Sequence, residues 1–233
     1  MPIFQPCFLD KAELQFAVDG YITSDCTNNS GCGIAQTYGW PIGDWCVSQV
    51  TDMSYLFSGK STFNEDLLGW NVSSVTDMGY MFDGSTSFNG DISSWDVSSV
   101  TSMGYLFYFG TSFNSDISLW NVSSVRNMGR MLNGAEAFNI DISNWDVSSV
   151  TNMGSRLRDA VSFNIDISSW DLSSVTNTYR MLYGAETFRQ DLCAWGDKFP
   201  YGNADDIFTG SGCSLQDDPQ ESEKGPFCES TCN

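Results

Sequence analysis

Histidine is absent from the 233 residues. That removes imidazole general bases, Ser-His and Cys-His nucleophile pairs and every His metal ligand. Basic residues are scarce. Ten Lys and Arg face twenty-nine Asp and Glu, for a formal charge of −19. A chain so acidic is unsuited to the phosphate backbone of nucleic acids or to anionic lipid, both of which are held by Lys and Arg. Long apolar runs are missing too. None approaches about 18 residues, so no membrane-spanning helix is expected. No basic segment leading into an apolar one follows Met1. Hydrophobic residues still make up 41% of the chain, enough to build a core.

What is present is repetition. Trp45, Trp70, Trp95, Trp120, Trp145, Trp170 and Trp195 lie 25 residues apart, and only Trp40 stands outside the series. Phe63, Phe88, Phe113, Phe138, Phe163 and Phe188 keep the same interval, as do Val50, Val75, Val100, Val125, Val150 and Val175. Six units fill 45–194, preceded by a segment 1–44 and followed by 195–233. Repeats of this length stack into elongated arrays in which each unit touches only its neighbours.

Within one unit, Ile92, Trp95, Val97 and Val100 follow the I-x-x-W-x-V-x-x-V outline of a leucine-rich-repeat core. Trp95 and Val97 alternate as a short half-buried strand would. Val100, Met103 and Phe107 recur at helical spacing. Ser99 with Ser102, and Ser74 with Asp77, resemble N-capping pairs. Gly84, Gly134 and Gly184 are placed to end the helix. The expectation is an α/β solenoid of leucine-rich-repeat type, with one short strand and one short helix per unit and successive copies about 4.8 Å apart.

Such an array must close its end faces. Cys7, Cys26, Cys32 and Cys46 precede the array or lie on its first rung; Cys193, Cys213, Cys228 and Cys232 lie on its last rung or beyond. None falls between. Four and four is the arithmetic of two disulfide-stapled caps, each paired within itself, and implies an oxidising compartment. The N-terminal cap holds one amphipathic helix candidate, Asp10–Tyr21, with Asp10 as N-cap and Leu14, Ala17, Val18 and Tyr21 on one face. Residues 22–44 are expected to be loop.

The pattern W-[DN]-V-S-S-V-T-x-M-x-x-M-F-x-G-x-x-x-F-N-x-D-I-S-x, seen in NVSSVTDMGYMFDGSTSFNGDIS over 71–93, resembles the 25-residue repeat of BspA-like surface proteins, relatives of the leucine-rich repeats in bacteria and unicellular eukaryotes. The resemblance covers 45–194. It implies surface exposure, with adhesion or binding and no catalysis. The chain departs from the pattern at Tyr108-Phe109-Gly110, at Arg156, where other units carry Met or Leu, and at Thr178.

Three features are candidate sites. Asn28, Asn71 and Asn121 head N-x-[ST] sequons for N-linked glycans. The ladder Asp66, Asp91, Asp116, Asp141, Asp166 and Asp191 is first read as carboxylates accepting backbone N–H bonds in a turn, and second as calcium bridging oxygens between units. No other cofactor is expected. The third is the polar strand face, represented by Ser94, Asp96 and Ser98 in one unit and Asn144, Asp146 and Ser148 in another. It suits a protein or glycan ligand. No nucleophile–base pair or phosphate loop is present, and repeated carboxylates do not make the one asymmetric site that catalysis needs. The expectation is a non-catalytic extracellular or cell-surface protein for adhesion or recognition. The alternative is a protomer of a glycosylated filament joining copies cap to cap through aromatics such as Phe4, Phe8, Phe199, Tyr201, Phe208 and Phe227.

Overall fold

The computed structural model describes residues 7–229, 231 and 232; Phe4 lies outside them. The chain opens with helix α1 (Lys11–Thr23), whose N-cap Asp10 accepts a 2.9 Å bond from the Glu13 N–H. Leu14, Ala17, Val18 and Tyr21 are its buried face. Beyond it, where the sequence predicts only loop, a six-residue helix α2 (Gly33–Tyr38) forms.

The array is built differently from the expected α/β solenoid. Among the described residues, no strand and no helix occurs between Trp45 and Leu192. Each 25-residue unit is instead a coil of successive tight turns. In the third unit, N–H to C=O bonds close the turns Ile92–Trp95, Val97–Val100, Met103–Leu106, Tyr105–Tyr108, Phe107–Gly110 and Gly110–Phe113. Trp95 and Val97 do alternate in burial with Asp96, but the Trp95 and Val100 N–H groups bond back within the coil and not across a ladder. Pairing between coils takes the form of single parallel bridges, Asp52↔Asp77↔Ser102↔Asn127↔Asn152↔Asn177, at the place where a helix start was expected.

The helix fails for a specific reason. From Met103 to Phe109 alternate N–H groups leave the coil: Met103, Tyr105, Phe107 and Phe109 donate to Asn127, Gly129, Met131 and Asn133 of the next one. A helix would need those same groups internally. The backbone also turns left-handed twice per coil. Tyr55, Tyr80, Tyr105, Arg130, Ser155 and Arg180 hold φ between 53° and 63°, and a second such position is taken by Gly59, Gly84, Phe109, Gly134, Asp159 and Gly184. The apolar spacing of three and four, read as one helical face, is equally the spacing of turn corners that all point inward.

Those corners fill one continuous core. Trp, Val, Met, Phe and Ile or Leu copies are all buried. Each indole N–H finds a carbonyl one coil back. Trp70, Trp95, Trp120, Trp145, Trp170 and Trp195 donate to Ile42, Leu67, Ile92, Ile117, Ile142 and Ile167, at 2.8–3.3 Å. A buried donor is thus satisfied while the ring stays inside. Outside the core, the Asn64, Asn89, Asn114, Asn139 and Asn164 amides each accept the backbone N–H of the residue 25 positions on, at 2.7–3.0 Å.

Both ends are closed. Cys7–Cys46 and Cys26–Cys32 staple the first cap, Cys193–Cys232 and Cys213–Cys228 the second. The second cap carries the ladder one step further, with the N–H groups of Thr178, Arg180, Leu182 and Gly184 bonding to residues 203, 205, 207 and 209. Side chains then finish the exposed edges. Gln15 of α1 donates to the Leu56 carbonyl at one end. At the other, Asp218 and Gln216 accept the N–H groups of Ile207 and Gly210. Unpaired edges invite pairing with another chain, and these contacts remove that invitation.

Candidate functional site

The sequence-predicted residues occupy turns. Ser94, Asp96, Asn144 and Asp146 are exposed, while Ser98 and Ser148 are half-buried. Because there is no sheet, they do not form a strand face. Each Asp or Asn at this position caps a turn: Asp96 accepts from the Ser98 N–H, and Asp146 from the Ser148 N–H and hydroxyl. Hydrogen bonds from these serines hold both carboxyls below the usual 3.8. Asn71 and Asn121 make the same turn, each accepting a 2.7 Å bond from the hydroxyl of its sequon serine, Ser73 or Ser123. Both are exposed, as is Asn28.

The aspartate ladder is also committed to backbone. Asp91, Asp116, Asp141, Asp166 and Asp191 accept the N–H two residues on, and Asp66 accepts that of Asp91. Hydrogen bonds from Ser118 and Ser143 keep Asp116 and Asp141 below the ordinary carboxyl range. Among the described residues, the one group of three ligand-type side chains within 4.8 Å of one another is Asp191, Cys193 and Cys232, and its two cysteines share a disulfide.

A different surface is the most site-like. Along the bridge residues runs a groove that sequence reasoning missed. Its two hollows, of about 220 and 250 Å³, meet at Tyr105 and Asn127, which line both. One wall is polar, made by the bridge residues. Asn152 donates to Asn127 and Asn177 to Asn152, each at 3.1 Å, while their Oδ1 atoms accept the N–H groups of Gly154 and Tyr179. The other wall is the first left-handed position. Tyr55, Tyr80 and Tyr105 stack at 4.6 and 4.2 Å between ring centres. Lys11 lies 5.8 Å from the Tyr55 ring at one end, and Arg130 lies 5.2 Å from Tyr105 at the other and bonds its hydroxyl. Burial and the Tyr105 hydroxyl push Tyr80 up to about 12.

The floor explains a recurrent Met-Gly pair. A Cβ on Gly104, Gly129 or Gly154 would sit 2.6–2.7 Å from the amide nitrogen of the next coil's Asn, so only glycine lets that amide lie across it. The pair was the available signal: glycine is out of place inside a helix and in place under a close contact.

Comparison with family models matches residues 33–139 and 115–217 to a family described as Mycoplasma protein of unknown function, DUF285. The chain belongs to this family. The matched residues run from α2 through the whole array to residue 217, and leave α1 and the last two cysteines outside. No curated protein and no solved structure matches the chain. Among the described residues no helix is long and apolar enough to cross a membrane.

Proposed function

We propose that this DUF285 chain is a non-catalytic recognition module of an extracellular or cell-surface protein, in keeping with the resemblance of its repeats to those of BspA-like surface proteins. The observation that carries the proposal is the pairing of closed ends with an open side. Cap side chains occupy the ladder edges, while one flank keeps a groove across the coils, walled by the polar bridge residues on one side and by tyrosines on the other. Four disulfides suit an oxidising compartment. The exposed sequon asparagines Asn28, Asn71 and Asn121 suit N-linked glycans there. Repetition of the lining residues favours binding along a length over chemistry at one point.

The filament alternative draws on the cap aromatics. Phe8, Phe199, Phe208 and Phe227 are buried within their own chain and cannot supply a cap-to-cap contact, whereas Leu9, Phe16 and Trp40 of the first cap are exposed. Size-exclusion chromatography with negative-stain imaging, followed by binding to arrays of immobilised glycans and proteins, tests the reading. The expected result is a discrete particle of 25.8 kDa before any glycan, with a saturable ligand. Uniform rods with no ligand would establish the filament instead.

A further inference from the structure

We infer that the groove running from Ser54 to Tyr179 binds a linear, neutral polysaccharide of extended pyranose units lying along the stacking direction. This rests on the recognition reading above and names its ligand.

Three observations carry it. The first is chemical. Asn152 and Asn177 each have two amide N–H hydrogens, and each uses one of them on the neighbouring Asn Oδ1. Amide geometry turns the second away from that bond. The facing wall presents phenol edges and hydroxyls, because the tyrosine faces are covered by one another and by Lys11 and Arg130. A groove lined in this way recognises a ligand rich in hydroxyls, which donate and accept in equal measure, and offers no ring face to a flat aromatic.

The second is the repeat distance. Lining groups recur once per coil, about 4.8 Å apart, whereas an extended peptide advances about 3.3 Å per residue and drifts out of step within two coils. An extended pyranose chain advances by close to the coil spacing, so one sugar falls on each coil, with its hydroxyls turned alternately to the two walls. The groove also has ends. Glycine at the floor position gives way to Ser54 in the first coil and to Tyr179 beyond Gly154, which limits the bound length to about five units.

The third is charge. Asp77 and Arg130 line opposite halves of the groove, and the chain as a whole carries −19. The surrounding field opposes a polyanion, leaving a neutral chain as the matched ligand.

The test is titration calorimetry of the full chain with cellotriose, cellohexaose and xylohexaose. An alginate oligomer and an alternating Ser-Thr peptide of equal length are run beside them. Binding of a neutral hexasaccharide, weaker for the triose, is expected. Asn152→Asp keeps the oxygen that accepts the Gly154 N–H but loses both donors, and should weaken binding by at least about tenfold. Tyr80→Phe keeps the stack and should give a smaller loss. Unchanged near-ultraviolet dichroism and retention of all four disulfides show that each variant is folded. Preference for alginate or the peptide, or hexasaccharide binding unaffected by both variants, overturns the proposal. If the wild-type chain captures an array ligand that Asn152→Asp captures equally well, the groove assignment falls and the recognition reading stands. If it captures none of the probes and nothing on the arrays, both fall.

Discussion

The two halves of the array share a backbone and differ in filling. In the half nearer α1, Phe57, Phe82 and Phe107 stack at 5.1 and 5.6 Å, beside the Tyr55, Tyr80 and Tyr105 file. In the other half the same two positions hold Leu132, Leu157 and Leu182, and Arg130, Ser155 and Arg180. The parallel bridges continue through both at intervals of 25, and the first left-handed position keeps φ between 53° and 63° whether it holds Tyr, Arg or Ser. Register therefore resides in the backbone ladder and the tryptophan series. The positions between them are free to be refilled, and the refilling is what gives the groove its uneven wall.

If that is so, the tryptophans should matter equally in both halves. Trp120 and Trp145 are 3% and 4% exposed, and each anchors a carbonyl of the preceding coil. Because the Trp145 ring also faces the Arg156 guanidinium, the pair is compared in an Arg156→Met background. There Trp120→Ala and Trp145→Ala should each cost about 3–5 kcal/mol, read as matched drops in the denaturant midpoint. A large difference between them would mean that the local filling, not the shared register, sets stability.

Arg156 is where refilling went against the core. Its guanidinium is fully buried between Trp145 and Trp170, 5.3 and 4.4 Å from the ring centres, and its three nitrogens have no hydrogen-bond partner. Burial lowers its pKa to about 9, so it stays charged at neutral pH. The ring faces offset part of the desolvation, by about 2 kcal/mol. Neighbouring coils carry Met131 and Met181 there. Arg156→Met should therefore raise stability, by about 1–4 kcal/mol on the scale of other buried charges replaced by apolar residues. A fall in the thermal midpoint would show that the cation is a net contributor.

The smallest effect expected is on acid response. Asp96 and Asp146 are held below 3.8 by their serine bonds, and Asp171, bonded first by Lys198 and then by Ser173, lies at about 2. Folded values below the unfolded one mean that their stabilisation is complete above pH 3.8 and is lost as pH falls toward 2. Asn already holds the same turn at Asn71 and Asn121. The triple change Asp96→Asn, Asp146→Asn and Asp171→Asn, made in a host that adds no glycans, should leave neutral stability close to wild type and flatten this acid arm. An unchanged acid arm would place the titrating groups elsewhere.

Much of this architecture was readable from the residues. The Trp, Phe and Val intervals gave the stacking register, and the grouping of cysteines gave the two caps. Asp10 with Leu14, Ala17, Val18 and Tyr21 gave α1. The local structure inside a coil was not readable, because inward corners of successive turns and one face of a helix share the spacing of Val100, Met103 and Phe107. Likewise Trp95 and Val97 alternate in burial without any partner strand. The groove escaped notice because the glycines read as helix ends were Gly84, Gly134 and Gly184, whereas the place of Gly104, Gly129 and Gly154 beneath the next coil's amides is a property of two units together.

The claim on which all this depends is that a 25-residue backbone register, and not any individual coil, defines the fold. Removing residues 96–120 takes out one whole period and rejoins Trp95 to Asn121, while removing 97–120 takes out one residue fewer. Urea unfolding followed by tryptophan fluorescence, with mapping of the disulfides, compares the two. The whole-period deletion should unfold cooperatively with all four disulfides intact, and the shorter one should not. Equal loss of cooperativity in both would contradict the account.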